Sequence, residues 1–438
     1  MFYRKISEYI ENYLSSSDER VLCIDGARQV GKSFIIRYLC QKHFENYIEL
    51  NMVDDYNGDQ LFSNVRTKDD FYLQVSIMFG DKMGDRDNTI IFIDEIQVYP
   101  HLLTLLKSLR YDNRFRYICS GSLLGVTLKK TFSIPMGSII EKEMYPMDFE
   151  EFLMANGVGS EVINYLRNCF TQRISPSENI HDSILKLFKT YLYVGGLPDA
   201  VKAYVETKNI SIIRKVQEDT HKYYSSDASK YNLENSLKIK RIYDMIPSNI
   251  ENKVKRVHFN EIENIKDSRF AKYQNEFDYL ISSGIVLDVK AISEPRFPLI
   301  QSSSKNLIKL YFNDVGILTN ILYKNNINAI LSDKSGVNLG AVYETVVAQE
   351  LKAHGHNLYY YDRRKIGEVD YLVDDYDNLC SLPIEIKSGR DGYEYSAIDR
   401  MLKIKEYNIK NAYIFSNDRD IKTENGITCF PIYLIMFV

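Results

Sequence analysis

The chain has 438 residues, 45% of them hydrophobic and 26% charged, with a formal net charge of −4. That length exceeds what one hydrophobic core fills, so about two to four domains are expected. The composition is that of an ordinary soluble protein and no apolar run approaches the roughly 18 residues of a membrane span. The acidic balance gives no global nucleic-acid signature, so any DNA contact has to come from a local basic patch.

At the N-terminus Phe2, Ile6, Ile10 and Leu14 recur at four-residue steps, which predicts an amphipathic helix rather than a secretory signal. The six cysteines (23, 40, 119, 169, 380 and 429) form no CxxC pair, and two fall in predicted core strands. They read as reduced, buried thiols of a cytoplasmic protein rather than as disulfides or zinc ligands.

The apolar stretch Val21-Leu22-Cys23-Ile24 predicts a buried parallel strand, and Phe34 to Leu39 begins a helix. Between them lies Gly26-Ala27-Arg28-Gln29-Val30-Gly31-Lys32-Ser33, a complete GxxxxGK[ST] phosphate-binding loop. Glycines let the backbone N–H groups curl around a β-phosphate, Lys32 reaches the β/γ oxygens, and the Ser33 hydroxyl ligates Mg²⁺. The run Thr89 to Ile93 followed by Asp94-Glu95 predicts a central strand whose tip opens on the ligand crevice. Asp94 is expected in the Mg²⁺ shell and Glu95 as the group that orients or deprotonates the attacking water. The competing reading is that both acids cap the next helix. A third strand, Phe115 to Cys119, ends in Ser120-Gly121-Ser122, where a hydroxyl, assigned to Ser122, would sense the γ-phosphate; Ser-Gly-Ser is also ordinary turn chemistry.

Strand and helix signals alternate over residues 1–155, which argues for a parallel α/β sheet, an ATPase domain. Residues 156–235 read as a mostly helical lid or connector, broken at Ser175-Pro176-Ser177 and Gly195-Gly196-Leu197-Pro198. Residues 236–295 read as a winged helix, with Gly284 to Val289 as strand. Between Lys238 and Arg256 six basic residues (238, 240, 241, 253, 255, 256) face only Asp244 and Glu251. That excess suits DNA contact, a solvated helix face or a domain–domain adaptor.

Residues 296–438 carry a second constellation: Glu344 on a helix beginning at Gly340, then Gly367 to Val373, then Pro383-Ile384-Glu385-Ile386-Lys387-Ser388-Gly389. Side chains alternate faces along a strand, so Glu385 and Lys387 share the face opposite Ile384 and Ile386. This is the D…ExK arrangement of restriction-type nucleases. Asp370 and Glu385 would hold Mg²⁺ through hard oxygens, Glu344 would complete the acidic cluster, and Lys387 would orient water or stabilise the phosphorane. Arg363 and Arg364 are suitable phosphate contacts. Alone, the pattern is also common cross-strand charge pairing.

Taken in order, the phosphate loop, Ile93-Asp94-Glu95-Ile96-Gln97, Tyr145 to Leu153, Gly195-Gly196-Leu197-Pro198, Leu310 to Gly316 and Glu385 to Gly389 resemble a large prokaryotic family. It comprises AAA-type ATP-binding proteins with a C-terminal domain of unknown function similar to PD-(D/E)xK nucleases. The resemblance implies an AAA+-like ATPase, a helical lid, a winged helix and a nuclease-like end. It departs at one point: after Pro135-Met136-Gly137, where relatives often carry a basic residue, Ser138 stands. If that residue is an arginine-finger analogue, Arg110 and Arg114 are the nearest substitutes. The expectation is an ATP- and Mg²⁺-binding ATPase, able to form homo-oligomers, coupled to a nuclease-like, DNA-binding end. The alternative is a nucleotide-driven switch or scaffold whose C-terminal domain only recognises a partner.

Overall fold

A computed structural model gives the architecture of residues 1–438 apart from 123, 125–136, 228–232, 253–254, 264, 267, 332–338 and 388–395. The described residues fall into two compact units. One comprises Met1, Tyr3–Tyr145 and Ser282–Gly284; the other comprises Phe2, Pro146–Ile281 and Ile285–Val438. The long stretch of the first unit therefore ends at Tyr145, and the described residues of 156–235 belong to the second.

In the first unit β1 (Val21–Asp25), β2 (Asn46–Asn51), β3 (Thr89–Asp94), β4 (Arg116–Gly121) and β5 (Ile139–Glu143) lie in the order β2-β3-β4-β1-β5. Every pair is parallel. All six residues of β3 are buried, as a continuous apolar run requires when both faces of a sheet are covered. Parallel pairing needs crossovers, supplied by helices Lys32–His43 and Pro100–Asp112 among others. The tips of β1, β3 and β4 consequently meet at one edge. The N-terminal helix is Lys5–Ser15, with Ile6, Ile10 and Leu14 buried at the expected spacing.

The second unit opens with helices Phe149–Ala155, Ser160–Gln172, Glu178–Val194, Pro198–Thr207 and Ile210–Asp227, interrupted where the Ser-Pro-Ser and Gly-Gly-Leu-Pro breaks stand. Shorter helices follow, Leu233–Asp244, Ile246–Glu251, Phe259–Glu263 and Gln274–Ser282. Then come β6 (Val286–Ile292), β7 (Ser303–Phe312), β8 (Tyr359–Arg363), β9 (Gly367–Asp375), β10 (Cys380–Lys387), β11 (Ala412–Ser416), β12 (Lys422–Glu424) and β13 (Ile427–Pro431). They form one mixed sheet in the order β12-β13-β11-β10-β9-β8-β6-β7.

The strand expected as a wing is β6, an interior strand of the eight-stranded sheet, antiparallel to β7 and parallel to β8. The run Ile285–Val289 is buried, and β6 forms an antiparallel hairpin with β7. The basic excess is also spent internally. Lys240 pairs with Asp244 at 2.5 Å, Arg241 donates to the Ile262 carbonyl at 3.3 Å, Lys255 pairs with Glu344 and Arg256 with Asp362. Lys253 lies outside the described residues.

A polar hub holds this unit together. The Asp314 carboxylate, fully buried, accepts from Gly196 N at 2.6 Å and from Ile317 N at 3.1 Å, the latter capping helix Val315–Tyr323. Gly195 is left-handed (φ +74°), and a Cβ on it would strike that carboxylate; a Cβ on Gly196 would strike the Met147 carbonyl. Tyr191 donates to Met147 O at 2.6 Å, Phe149 N to Glu350 at 2.9 Å, and Val315 N to Gln349 at 3.0 Å. Three separate sequence motifs thus meet at buried backbone N–H groups, which leave a penalty when orphaned.

Asp314→Ala orphans two buried donors and is expected to cost the second unit about 2–4 kcal/mol, read as a lowered denaturant midpoint. Burial pushes the Asp314 carboxyl up to about 6. A raised folded-state value means the stabilisation is complete below the ordinary carboxylate range and is lost as pH rises through about 6. The midpoint of Asp314→Asn should accordingly gain on that of the wild type over this interval; parallel curves would contradict the assignment.

Candidate functional site

The phosphate loop follows β1 directly. Gly26 has φ +147°, and a Cβ there would collide with the Met144 carbonyl oxygen, whose own N–H donates to Asp25 O at 2.8 Å. Gln29 (φ 64°) and Gly31 (φ 96°) are left-handed, the alternation that turns successive N–H groups toward a common point. Gly31 caps helix Lys32–His43 without a side chain, so the positive end of the helix dipole faces the loop. Ala27 and Val30 are buried and fasten the loop to the core. Arg4 supports it from behind, donating to Val30 O at 2.9 Å and Tyr145 O at 2.6 Å.

Lys32 Nζ donates to Gly26 O at 2.8 Å and Ala27 O at 2.9 Å, and burial lowers its pKa. Two carbonyl dipoles are weak partners for a buried ammonium. Ser33 Oγ donates to Asp94 Oδ1 at 3.0 Å, and Ser120 Oγ donates to the same oxygen. Burial raises the Asp94 pKa, and these two hydroxyl bonds oppose it. Glu95 is left-handed (φ 53°); its Oε2 accepts from Ser122 Oγ at 2.9 Å and from Gln97 Nε2. Arg28 Nε reaches the same Ser122 hydroxyl at 3.2 Å.

Every expected residue of this site is therefore brought together, with one change of role. Ser122 is held by Glu95, Gln97 and Arg28, and it is Ser120 that touches Asp94. The β3–β4 register, a tertiary fact, sets Ser120 beside Asp94, whereas Gln97 reaches Glu95 from two residues further along the chain. Arg110 and Arg114 do not join. They lie at the end of helix Pro100–Asp112, just ahead of β4, at the edge of the parallel sheet opposite the loop. Arg110 donates to Gly137 O at 2.8 Å and Arg114 lies over the Tyr72 ring. Pro135 and Met136 lie outside the described residues; Ser138 is buried ahead of β5.

In the second unit Asp370 on β9 lies beside Glu385 on β10, since the antiparallel register pairs Leu372 with Pro383 and Tyr371 with Ile384. The backbone ladder stops there, and Asp370 Oδ2 takes over, accepting from Ile386 N at 3.0 Å. Lys387 Nζ donates to Glu385 Oε1 at 2.8 Å, while Glu385 Oε2 is buried with no hydrogen-bond partner among the described residues. Burial, then the neighbouring Glu385 and Glu344, push the Asp370 pKa well up; burial likewise raises that of Glu385. Glu344, on helix Gly340–Ala353, points into the same region, but Lys255 holds its Oε1 and Tyr311 OH its Oε2 at 2.9 Å. Burial works against the charge on Lys255, and Glu344 and Asp370 outweigh it, so its pKa is raised.

Among the described residues no three His, Cys, Asp or Glu side chains are grouped as a metal site. The expected triad of Glu344, Asp370 and Glu385 thus does not fit a cation as it stands, because a lysine occupies Glu344. Lys255 was counted in the sequence as surface charge; its partner lies 89 residues away. Arg363 and Arg364 are exposed on the β8–β9 turn, and Ser388-Gly389 lie outside the described residues.

Gly26→Ala would drive a Cβ into backbone rather than into a mobile side chain. The first unit should melt several degrees lower and bind a fluorescent ATP analogue at least tenfold more weakly; unchanged binding would show that the loop tolerates the collision by relaxing.

Residues 18–153 match a family described as an AAA domain, and residues 185–328 and 339–435 match two domains of unknown function. An uncharacterised protein of Haemophilus influenzae is 27% identical over 205 residues, which span 44% of this chain and 44% of that relative. A Walker-type ATPase of Pyrococcus abyssi superposes over 73% of this chain and 95% of its own, with 14% identity and a TM-score of 0.43. The Orc1 protein of Aeropyrum pernix in complex with DNA gives 76%, 91%, 12% and 0.31, respectively. The RuvB Holliday junction branch migration motor of Thermotoga maritima gives 70%, 92%, 12% and 0.30. No helix among the described residues is long and apolar enough to cross a membrane. The family match, the parallel sheet and the loop geometry together make residues 18–153 a P-loop ATPase domain of the AAA type.

Proposed function

We propose that the first unit binds ATP with Mg²⁺ and hydrolyses it slowly when alone. The observation that carries this is the Lys32 ammonium, buried beside a glycine-built cradle and hydrogen-bonded to two loop carbonyls, with the Glu95, Asp25 and Asp94 carboxylates near enough to favour its charge. A β/γ-phosphate is the stronger partner, and Lys32 would transfer to it. Ser33 and Asp94, already 3.0 Å apart, would hold Mg²⁺ between them, directly or through water. Bound there, Mg²⁺ supplies charge neutralisation for the transferring phosphoryl group. Glu95 would position the attacking water and take its proton. Arg110 and Arg114, the candidates for a finger, are engaged with Gly137 O and the Tyr72 ring instead, and such fingers contribute on the order of 10³–10⁵ in rate elsewhere; a low basal rate follows.

We further propose that Asp370, Glu385 and Lys387 form a nuclease-like centre that acts on nucleic acid when its acids are free. Splayed strand ends, an unpartnered Glu385 oxygen and an adjacent ammonium support this reading. The Lys255–Glu344 pair favours the second reading, a nucleotide-driven switch or scaffold whose C-terminal unit binds a partner without cleaving it.

Lys32→Ala is expected to lose ATP binding, whereas Glu95→Gln should bind ATP with near-normal affinity and turn over at least about a hundredfold more slowly. Tight nucleotide binding by the alanine variant would overturn the site. Plasmid and single-strand cleavage with Mg²⁺ or Mn²⁺, with and without ATP, should disappear in Asp370→Ala and Lys387→Ala. Absence of cleavage in the wild type, together with no duplex binding at low salt, would put the switch reading ahead.

A further inference from the structure

Three consecutive residues tie the segment between helices Ile246–Glu251 and Phe259–Glu263 to three different elements. Lys255 bonds Glu344 on helix Gly340–Ala353, Arg256 bonds Asp362 on β8, and Val257 N donates to Ile308 O on β7 at 3.1 Å. Lys255 is the one of the three that enters the acidic centre, and its side chain is 22% exposed against 6% for Glu344. Both Glu344 oxygens are then taken, one by this ammonium and one by the buried Tyr311 hydroxyl. Tyr371 OH meanwhile donates to the Glu344 backbone carbonyl at 2.9 Å, which ties the helix at this residue to β9. The two remaining acids are differently served. Asp370 accepts the Ile386 backbone N–H, and one Glu385 oxygen has no hydrogen-bond partner among the described residues. Lysine is a compact point charge on a flexible stem, the side chain best able to stand in for a cation beside carboxylates and then withdraw.

Resting on the nuclease-like reading of this centre, we propose that Lys255 is a built-in cation that blocks divalent metal. Release of the Lys255–Val257 strap from Glu344 and metal loading at Asp370 and Glu385 are then two sides of one equilibrium. Removing the lysine both returns Glu344 as a hard oxygen ligand and deletes a like charge beside the incoming cation. Each change favours metal. Arg256–Asp362 and the Val257–Ile308 bond are the other fastenings of the strap, so a partner or ligand that competes for them opens the same centre from a distance.

The test is Mn²⁺ binding by calorimetry to the full chain without nucleotide, counting only heat that Asp370→Asn abolishes, which sets aside the ATP site. Lys255→Gln is expected to bind Mn²⁺ about tenfold more tightly than the wild type or better. Lys255→Arg should bind like the wild type, and Lys255→Gln/Glu344→Gln should lose the gain. Where Lys255→Gln does not fold, Lys255→Met keeps the aliphatic stem, and its melting temperature should rise more with Mn²⁺ than that of the wild type. Equal Asp370-dependent affinity in wild type and Lys255→Gln would overturn the blocking role while leaving the metal centre standing. No Asp370-dependent binding in any variant would overturn the metal centre and the blocking role with it.

Discussion

Glu344 is buried under the sheet and Asp370 and Glu385 are partly buried beside it, and a charge taken out of water has to be matched or lose its proton. Much of the second unit follows from that requirement. Lys255 is drawn in from a connecting segment, Lys387 turns toward Glu385, and Lys309, with its side chain only 1% exposed, pairs with Glu368 from the same strand as Asp370. The phosphate loop obeys the same constraint with opposite sign: a buried Lys32 is met by carbonyl dipoles, and a buried Asp94 by two hydroxyls. In both places the partners are ones a ligand can replace, because carbonyls, hydroxyls and a flexible ammonium bind less firmly than phosphate or a divalent cation.

Sheet topology decides where these charges gather. In the first unit all strands run parallel, so the β1, β3 and β4 tips deliver Gly26, Asp94 and Ser120 to one crevice. In the second, β9 and β10 part after Tyr371 and Ile384, and the Asp370 side chain replaces the missing backbone partner of Ile386. A ladder that continued would have used that N–H and closed the gap. The open strand end is thus both a local defect in pairing and the opening into which acids project.

The chain has 34 tyrosines and no tryptophan, and the second unit uses the phenol as a hydrophobic ring with one hydrogen bond to spend. Tyr191 joins Met147 to Gln349 and Glu350, Tyr311 bonds the Glu344 side chain and Tyr371 its backbone. Such satisfied networks hold a core in one arrangement, since any displacement orphans several buried groups at once. The Asp314 hub belongs to the same class: its carboxylate leaves Gly195 no room for a side chain, and the Met147 carbonyl leaves Gly196 none.

Local order carried most of what was legible. The phosphate loop, the Asp94-Glu95 strand tip, the N-terminal helix and the Glu344 helix follow from residue types at short spacing, where backbone geometry and apolar periodicity act within a few residues. The eight-stranded sheet was not legible in the same way. The run Ile285–Val289 specifies a buried strand without saying which sheet buries it or which strands pair with it. Charge was the least legible property. Lys255 and Arg256 look in the sequence like a basic surface, and only the fold sets them against Glu344 and Asp362, 89 and 106 residues away. Ser120 and Ser122 differ in the chain by two positions; the register of β4 against β3 gave one to Asp94, and the turn beyond gave the other to Glu95. The amino-acid sequence by itself determined which chemical groups each centre could contain. The tertiary structure decided which of them are paired, because a buried charge is matched by whatever partner the fold brings within reach.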